Sequence, residues 1–212
     1  MTKLRLDITM SLDGFVAGPN ASLEDPLGKG GMRLHEWAFA AASWRQAHGL
    51  SGGEANVDSD VIQESLDSLG AVVMARRMFS GGEGPWADDP NANGWWGDDP
   101  PYEVPVFVVT HHAREPLHLG EGSFTFVTDG IEALLAQATE VAGDKDVLVA
   151  GGASLAQQYL AAGLLNELQI HVVPLFLGDG VRLFDRTDPA VDLELTRVIE
   201  SPTVTHLRYR VK

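Results

Sequence analysis

The sequence contains no cysteine, which excludes disulfide bonds, thiolate metal sites and a cysteine nucleophile. It also lacks any run of about 18 apolar residues, the length that a membrane-spanning helix needs. The N-terminal stretch MTKLRLDITM lacks the uninterrupted apolar core of a signal peptide. From these absences we expect a soluble, cytoplasmic protein that does not bind membranes.

Basic residues are scarce, because 15 lysines and arginines stand against 30 aspartates and glutamates, for a formal net charge of −15 at pH 7. Proteins that bind nucleic acids or anionic membranes neutralise phosphates with clustered Lys and Arg, so this balance argues against both partners. An anionic ligand must instead be held by a local group of basic residues and backbone N–H groups. The 212 residues, 44% of them hydrophobic, suffice for one large domain or two small ones.

Short β-branched runs alternate with stretches of helical periodicity along most of the chain. Such alternation predicts an α/β fold with a largely parallel central sheet. The C-terminal run, on either side of Ser201 and Pro202, predicts an antiparallel pair of strands added to that sheet. The strand-like runs are LRLDITM, AVVMA, VPVFVVT, FTFVT, DVLVAGG and ELQIHVVPLFLG, and the helical stretches are DSDVIQESLDSLG, DGIEALLAQATEVAG and ASLAQQYLAAGLL.

Two segments fit no regular element. One is the loop Ala17–Gly31, and the other is Gly81–Tyr102, which is long and rich in Gly, Pro and Asp. A loop of this length inside a compact domain is usually functional or disordered. Its Trp86, Trp95 and Trp96 favour packing over disorder, and an oligomer contact explains them as readily as a ligand lid.

No strand is followed by the GxGxxG pattern of classical dinucleotide-binding proteins, so a Rossmann fold loses its main support. The sequence instead contains five motifs in the following order: SLDGFVAG, VVMARRMF, VFVVTHHAR, the VAGG turn and AAGLLNELQIHVVPLFLGDGVRLF. In this order the chain resembles the dihydrofolate reductase superfamily, and more closely the C-terminal reductase domain of bifunctional riboflavin biosynthesis (RibD) enzymes. The resemblance covers nearly the whole chain and implies a single domain over residues 1–212. The implied fold is three-layered, with a mixed, mainly parallel sheet, antiparallel C-terminal strands, helices on both faces, and NADPH along the carboxyl ends of the strands.

The resemblance places Arg76 and Arg77, followed by Met78, at the start of a short helix where the family holds cofactor phosphates. Paired guanidinium groups beside the N–H groups of a helix start are chemically suited to phosphate. The alternative is an exposed basic pair on a solvated face. The family usually has Gly where this chain has Ala75, so the helix approaches a phosphate less closely.

By the same resemblance, Thr110, His111 and Arg114 line the adenosine side of the cofactor and read its 2′-phosphate. The adjacent His111 and His112 raise the alternative of a metal site. Neighbouring side chains on an extended segment diverge, and no third ligand is evident nearby, so we expect no metal. His171, alone in a predicted strand, is expected to be a hydrogen-bonded core residue.

Gly151 and Gly152 connect a buried strand to a helix that begins at Ala153 and Ser154. In the superfamily, paired glycines at this point pass under the nicotinamide and pyrophosphate, often through a cis peptide bond. We therefore expect a cis bond between Gly151 and Gly152, with Ser154 donating its hydroxyl. A Cβ atom at either glycine is expected to project into the turn or the cofactor. A tight strand-to-helix turn without a ligand would give the same sequence.

The chain departs from the family pattern at the expected catalytic positions. Riboflavin pathway reductases commonly carry Glu directly before the paired glycines, where this chain has Ala150. Dihydrofolate reductases use an acidic residue on the helix after the first loop, and Glu36 is the candidate here. An exposed helical carboxylate without a catalytic role is the alternative. The proton for a reduction would come from water, Glu36 or His35.

The segment MRLHEWAFAAASW is expected to form that helix. Trp37 and Phe39 would offer an aromatic slot for a planar substrate ring. Core packing is an equal alternative, because Leu34, Trp37, Ala41 and Trp44 share one helical face.

The resemblance implies an NADPH-dependent reductase that transfers hydride to a small heterocyclic or sugar-linked substrate. Its models are 5-amino-6-(5-phosphoribosylamino)uracil reductase and dihydrofolate reductase. The alternatives are an NADP(H)-binding protein of the same fold without turnover, and a flavodoxin-like or Rossmann protein with another strand order. The C-terminal run and the tryptophan-rich loop offer apolar surface, and we expect a homodimer.

Overall fold

The computed structural model describes residues 2–97, 100–185 and 190–212, and the chain divides into two compact units. The first unit comprises the residues up to Leu6 together with Leu69–Asn166, and the second comprises Asp7–Ser68 and Glu167–Lys212. The single domain expected over the whole chain stays a prediction. In chain order the elements are β1 (Leu4–Ser11), β2 (Phe15–Ala17), α1 (Glu36–Ala40), α2 (Ala42–Ala47), α3 (Val57–Asp67), β3 (Leu69–Ala75), α4 (Arg76–Ser80), β4 (Val106–Val109), β5 (Leu117–Leu119), β6 (Gly122–Val127), α5 (Ile131–Ala142), β7 (Asp146–Val149), α6 (Ala153–Ala161), β8 (Glu167–Val173), β9 (Val181–Arg182), β10 (Leu193–Glu200) and β11 (Thr205–Val211), with 3-10 turns at Gly31–Leu34 and Trp86–Asp88.

In the first unit the strand order is β1-β7-β3-β4-β6-β5, and every pair is parallel except β5 with β6. The β-branched runs of the sequence form these strands because a parallel strand is buried on both faces. Val72, Val106 and Val108 are fully buried in its core. Parallel strands end at the same edge of the sheet, so the segments that follow β3, β4 and β7 begin at one edge.

In the second unit the order is β10-β11-β8-β1, and β11 is antiparallel to both β8 and β10. The predicted antiparallel C-terminal strands are therefore confirmed, with a register shift between Leu195 and Arg197. β2 and β9 pair in a separate small sheet. The mixed, mainly parallel sheet with helices is the fold class that the sequence predicted.

The helix expected over MRLHEWAFAAASW is wrong as a single element. It is divided into a 3-10 turn, α1 and α2, because Ala41 is extended with ψ 137°. Ala41 bridges to Glu54, and the Ala42 N–H donates to the Glu54 carbonyl at 3.0 Å. Pairing with a segment distant in sequence thus overrides the local helical pattern.

Candidate functional site

The Gly151-Gly152 turn follows β7 at the carboxyl edge of the first unit's sheet. Two backbone hydrogen bonds tie it to β3, from Ala150 N–H to Val73 O at 3.0 Å and from Ala75 N–H to Gly151 O at 3.3 Å. The peptide bond between the glycines is cis, which confirms the prediction. Gly151 has φ +115°, a left-handed conformation that requires glycine.

Gly152 has no such requirement, because its φ of −87° is open to any residue. A Cβ atom on Gly151 would make an ordinary contact with Met78 Sδ at 3.6 Å. A Cβ atom on Gly152 would meet nothing within 4 Å beyond its chain neighbours. The turn therefore leaves open space beside Gly152, and the expected clash of a side chain with the cofactor stays a prediction.

The first backbone N–H groups of helix α6 lie next to this space. Leu155 N–H and Ala156 N–H donate to Gly152 O at 3.1 and 3.3 Å. Among the residues that the structure describes, no carbonyl accepts from the N–H groups of Ala153 and Ser154. Ser154 is exposed and adds a hydroxyl group. Unpaired N–H groups at a helix start attract an anion.

The two adjacent arginines at the start of helix α4 lie in different environments. Arg77 has a side chain that is 71% exposed, with its Nε 3.1 Å from Glu83 Oε1. Arg76 is only 7% exposed, with its Nη2 2.5 Å from Asp89 Oδ2. Its guanidinium carbon lies 3.4 Å from the centre of the Trp86 ring. Arg77 is therefore exposed to solvent, whereas the burial of Arg76 contradicts an exposed basic pair.

Asp89 is the residue that sequence analysis missed in this region, since nothing in its local pattern distinguishes it. Its carboxylate accepts from Ser80 Oγ at 2.7 Å and from Asn91 N–H at 2.9 Å, in addition to its contact with Arg76. A Cβ atom on Gly82 would lie 2.3 Å from Asp89 Oδ2. Burial acts to raise the pKa of Asp89, but the hydrogen bonds from Ser80 and Arg76 hold that pKa below its usual value.

The tryptophan segment, residues 81–97, packs within the first unit. Trp86 and Trp96 contact the ring of the fully buried Phe79. Packing therefore explains these two residues. Trp95 stays 44% exposed while its Nε1 donates to Met78 O at 2.8 Å. The predicted irregular loop also included residues 98 and 99, which lie outside the described residues.

Side chains in the segment after β4 form contacts within their own loop and with the tryptophan segment. Thr110 is buried, and its Oγ1 accepts from His112 N–H at 3.1 Å. Arg114 donates to the carbonyl of Ala92, and its guanidinium carbon lies 4.6 Å from the centre of the Trp86 ring. Burial, with the nearby charge of Arg76, lowers the pKa of Arg114. Of the three predicted cofactor residues here, only His111 is exposed.

The candidate catalytic helix belongs to the second unit. Glu36 is exposed in the first turn of α1. Trp37 is buried and its Nε1 donates to Thr9 Oγ1 at 3.2 Å, which supports core packing rather than a substrate slot for this residue. Phe39 is half-buried. Burial lowers the pKa of His35, and the nearby His171 lowers it further, which disfavours His35 as a proton donor.

Within residues 2–97, 100–185 and 190–212, no three His, Asp or Glu side chains are grouped so that they would hold a metal ion. Over the same ranges, no helix has the length and apolar character needed to cross a membrane.

Comparison with known proteins identifies the relatives of this chain. The family model described as the RibD C-terminal domain matches residues 2–207. A curated relative, the uncharacterized protein YyaP of Bacillus subtilis (strain 168), is 21% identical over 210 residues, which is 95% of this chain and 92% of YyaP.

Two solved structures share the fold. A putative riboflavin biosynthesis protein from Shewanella sp. PV-4 aligns with TM-score 0.66 and 20% identity, covering 100% of this chain and 99% of that one. Dihydrofolate reductase from Enterococcus faecalis, complexed with NADP(H) and RAB-propyl, aligns with TM-score 0.53 and 10% identity, covering 99% and 96%. The dihydrofolate-reductase-like fold predicted from the sequence is confirmed.

Proposed function

The chain belongs to the RibD C-terminal domain family, and on that premise we propose that it is an NADPH-dependent reductase of a small heterocyclic or sugar-linked substrate. The observation that carries this proposal is the open space at Gly152 beside the donors of α6. Neither the φ of Gly152 nor its neighbours require glycine. A ligand that passes close to the backbone explains why the side chain is absent.

The residues at this turn fit the pyrophosphate of a dinucleotide. Gly151 and Gly152 leave the backbone accessible, while Ala153 N–H, Ser154 N–H and the Ser154 hydroxyl provide donors for phosphate oxygens. The exposed Arg77 supplies positive charge from the neighbouring α4. These contacts would form the local group of basic residues and backbone N–H groups that an anionic ligand needs in this acidic protein.

The adenosine side of the proposed site follows β4. His111 is exposed there and is proposed to contact the 2′-phosphate. Arg76, Thr110 and Arg114 belong to the same proposed site, although each is engaged by the protein itself. Direct contact of Arg76 with phosphate would require its pair with Asp89 to open. We therefore propose that Arg76 and Arg114 support the site by holding Trp86.

When bound, NADPH supplies the hydride. The chain must position the substrate and deliver or admit a proton. Glu36 is the proposed donor because it is exposed, whereas burial disfavours the charged form of His35. Ala150, in place of the glutamate common in riboflavin pathway reductases, points to a substrate other than the riboflavin intermediate.

The first test is cofactor choice. We expect NADPH to bind at least about tenfold more tightly than NADH, because a charged hydrogen bond to the 2′-phosphate contributes about 1.5 kcal/mol or more. Fluorescence titration of both nucleotides measures this ratio. His111→Ala should reduce the preference, while the exposed His118→Ala serves as a control. Equal dissociation constants for NADPH and NADH would contradict the proposed adenosine side.

A screen of NADPH oxidation against pterins, aminopyrimidines and carbonyl compounds separates an enzyme from the alternative, a cofactor-binding protein without turnover. Glu36→Gln should slow turnover on any active compound without changing NADPH affinity. Binding of NADPH with no turnover on any compound would support the alternative.

We also propose a homodimer through the C-terminal strands. Leu195 and Val198 on β10 are more than half exposed, and β10 has a partner on one side only within the described strand order. Light scattering at micromolar concentration should give twice the 22.8 kDa chain mass. Val198→Lys should shift the particle to the monomer mass. A wild-type protein of 22.8 kDa in solution would refute the dimer.

A further inference from the structure

Four ionisable side chains of the second unit form a continuous hydrogen-bonded chain. His171 on β8 and His206 on β11 face each other directly in the strand register, and their Nδ1 atoms are 2.6 Å apart. His171 Nε2 lies 2.6 Å from Asp7 Oδ1, and His206 Nε2 lies 3.0 Å from Asp58 Oδ1. The prediction that His171 is a hydrogen-bonded core residue is confirmed, and its partners were not foreseen.

The number of protons that the three contacts require determines the charge of these four side chains. Three contacts join the four groups, and each contact requires one proton between its two heavy atoms. Two neutral imidazoles and two carboxylates carry only two protons, which would leave one contact as two facing lone pairs. Two imidazolium ions carry four protons, which would place two protons between the Nδ1 atoms. Three protons, one more than the neutral histidines carry, satisfy every contact.

We propose that His171 and His206 form a proton-binding site, in which the two Nδ1 atoms share a single proton and the pair carries one positive charge at neutral pH. The proposal does not depend on the reductase function.

A metal ion does not explain the short contact. Tetrahedral ligands with zinc–nitrogen bonds of about 2.0 Å place their two nitrogens roughly 3.3 Å apart. The Nδ1 atoms of His171 and His206 are closer than that, at 2.6 Å. A shared proton accounts for the distance because a charge-assisted hydrogen bond is shorter than an ordinary one.

The charged and polar groups around the pair favour one added positive charge. Asp7 also accepts from Ser65 Oγ of α3 at 2.7 Å and from Gln169 Nε2 of β8 at 3.2 Å, contacts that stabilise its ionised form. Arg208 of β11 is directed to Gln169 and to Glu64 of α3.

A third histidine, His35, also interacts with the pair through His171. Burial lowers the pKa of His35, and the charge of His171 lowers it further. It therefore adds no competing charge near neutral pH.

The pair takes up one proton and resists a second. Burial lowers the pKa of His206; the hydrogen bond to Asp58 opposes this, and the charge of His171 lowers the pKa further. A histidine with a lowered folded-state pKa binds fewer protons than in the unfolded chain, so its contribution to stability is present above the unfolded pKa. That contribution is lost as the pH falls below about 6.5.

Trp37 connects this site to the candidate catalytic helix. Its ring centre lies 4.7 Å from that of His171 and 5.2 Å from that of His206. Both rings of the charged pair thus contact the Trp37 ring. Because Trp37 follows Glu36 in α1, protonation of the pair is coupled to the support of that helix.

Nitrogen-15 NMR of the wild-type full chain tests the site directly. We expect one strongly downfield proton signal that correlates with the Nδ1 atoms of both His171 and His206, with nitrogen shifts between the protonated and unprotonated values. The signal should vanish in His206→Gln and persist in His48→Gln, a control at an exposed histidine. The wild-type spectrum alone decides the matter if His206→Gln does not fold.

Three results would overturn the proposal. One is a pair of neutral imidazoles with no proton between the Nδ1 atoms, and another is two fully protonated rings at pH 7. The third is stoichiometric binding of zinc that shifts both histidines. Urea unfolding from pH 7.5 to pH 5 gives an independent readout, since the wild type should lose more stability on acidification than His206→Gln.

Discussion

Replacing Gly152 by valine is expected to abolish NADPH binding while the protein stays folded. The Cβ atom meets no neighbour within 4 Å, and the φ of −87° suits any residue, so the fold tolerates the side chain. The added methyl groups would instead occupy the space beside the first donors of α6. We expect the dissociation constant for NADPH to rise at least about a hundredfold, or about 2.8 kcal/mol. Fluorescence titration and thermal unfolding together measure both quantities.

Gly84→Val is a matched control for this experiment. Gly84 also lies in the first unit, outside the left-handed region, and a Cβ atom there would meet nothing within 4 Å. It should leave both NADPH affinity and melting temperature unchanged. A Gly152→Val protein that binds NADPH normally would remove the proposed cofactor site, whereas one that unfolds would show that the fold itself requires glycine.

Arg76→Ala is expected to lower the free energy of unfolding by about 3 kcal/mol, because breaking a buried ion pair leaves the partner charge uncompensated. The substitution would leave Asp89 without its cation and remove the guanidinium that stacks on Trp86. Arg77→Ala should change stability by less than about 0.5 kcal/mol, since its pair with Glu83 is exposed. Urea denaturation of both variants measures the difference.

The same two variants separate stability from binding. Arg77→Ala should weaken NADPH binding in a fully stable protein. The double variant Arg76→Ala with Asp89→Ala should recover part of the lost stability, because the unpaired carboxylate is removed as well. Equal, small losses of stability from Arg76→Ala and Arg77→Ala would show that the Asp89 pair contributes nothing measurable.

The sequence by itself determined the main strands of the sheet, the three longest helices and their order. Strands buried on both faces need continuous apolar, β-branched runs, as in AVVMA. Amphipathic helices need apolar residues that recur every three or four positions. Both patterns are therefore visible within a short stretch of sequence. The Gly151-Gly152 turn was predictable for a similar reason. A positive φ at Gly151 demands glycine at that position, and the family resemblance supplied the cis bond and the expected ligand.

Only the tertiary structure decided which side chains are available. Arg76 and Arg77 are adjacent and chemically identical, and contacts with Asp89 and Trp86 make only the first a buried structural residue. Ala41 breaks a helical pattern because it pairs with Glu54. His171 meets His206 because β8 and β11 are neighbours in the sheet, a pairing that neither strand's own residues specify. Each outcome depends on a partner distant in sequence, and a local pattern carries no information about such a partner until the chain has folded.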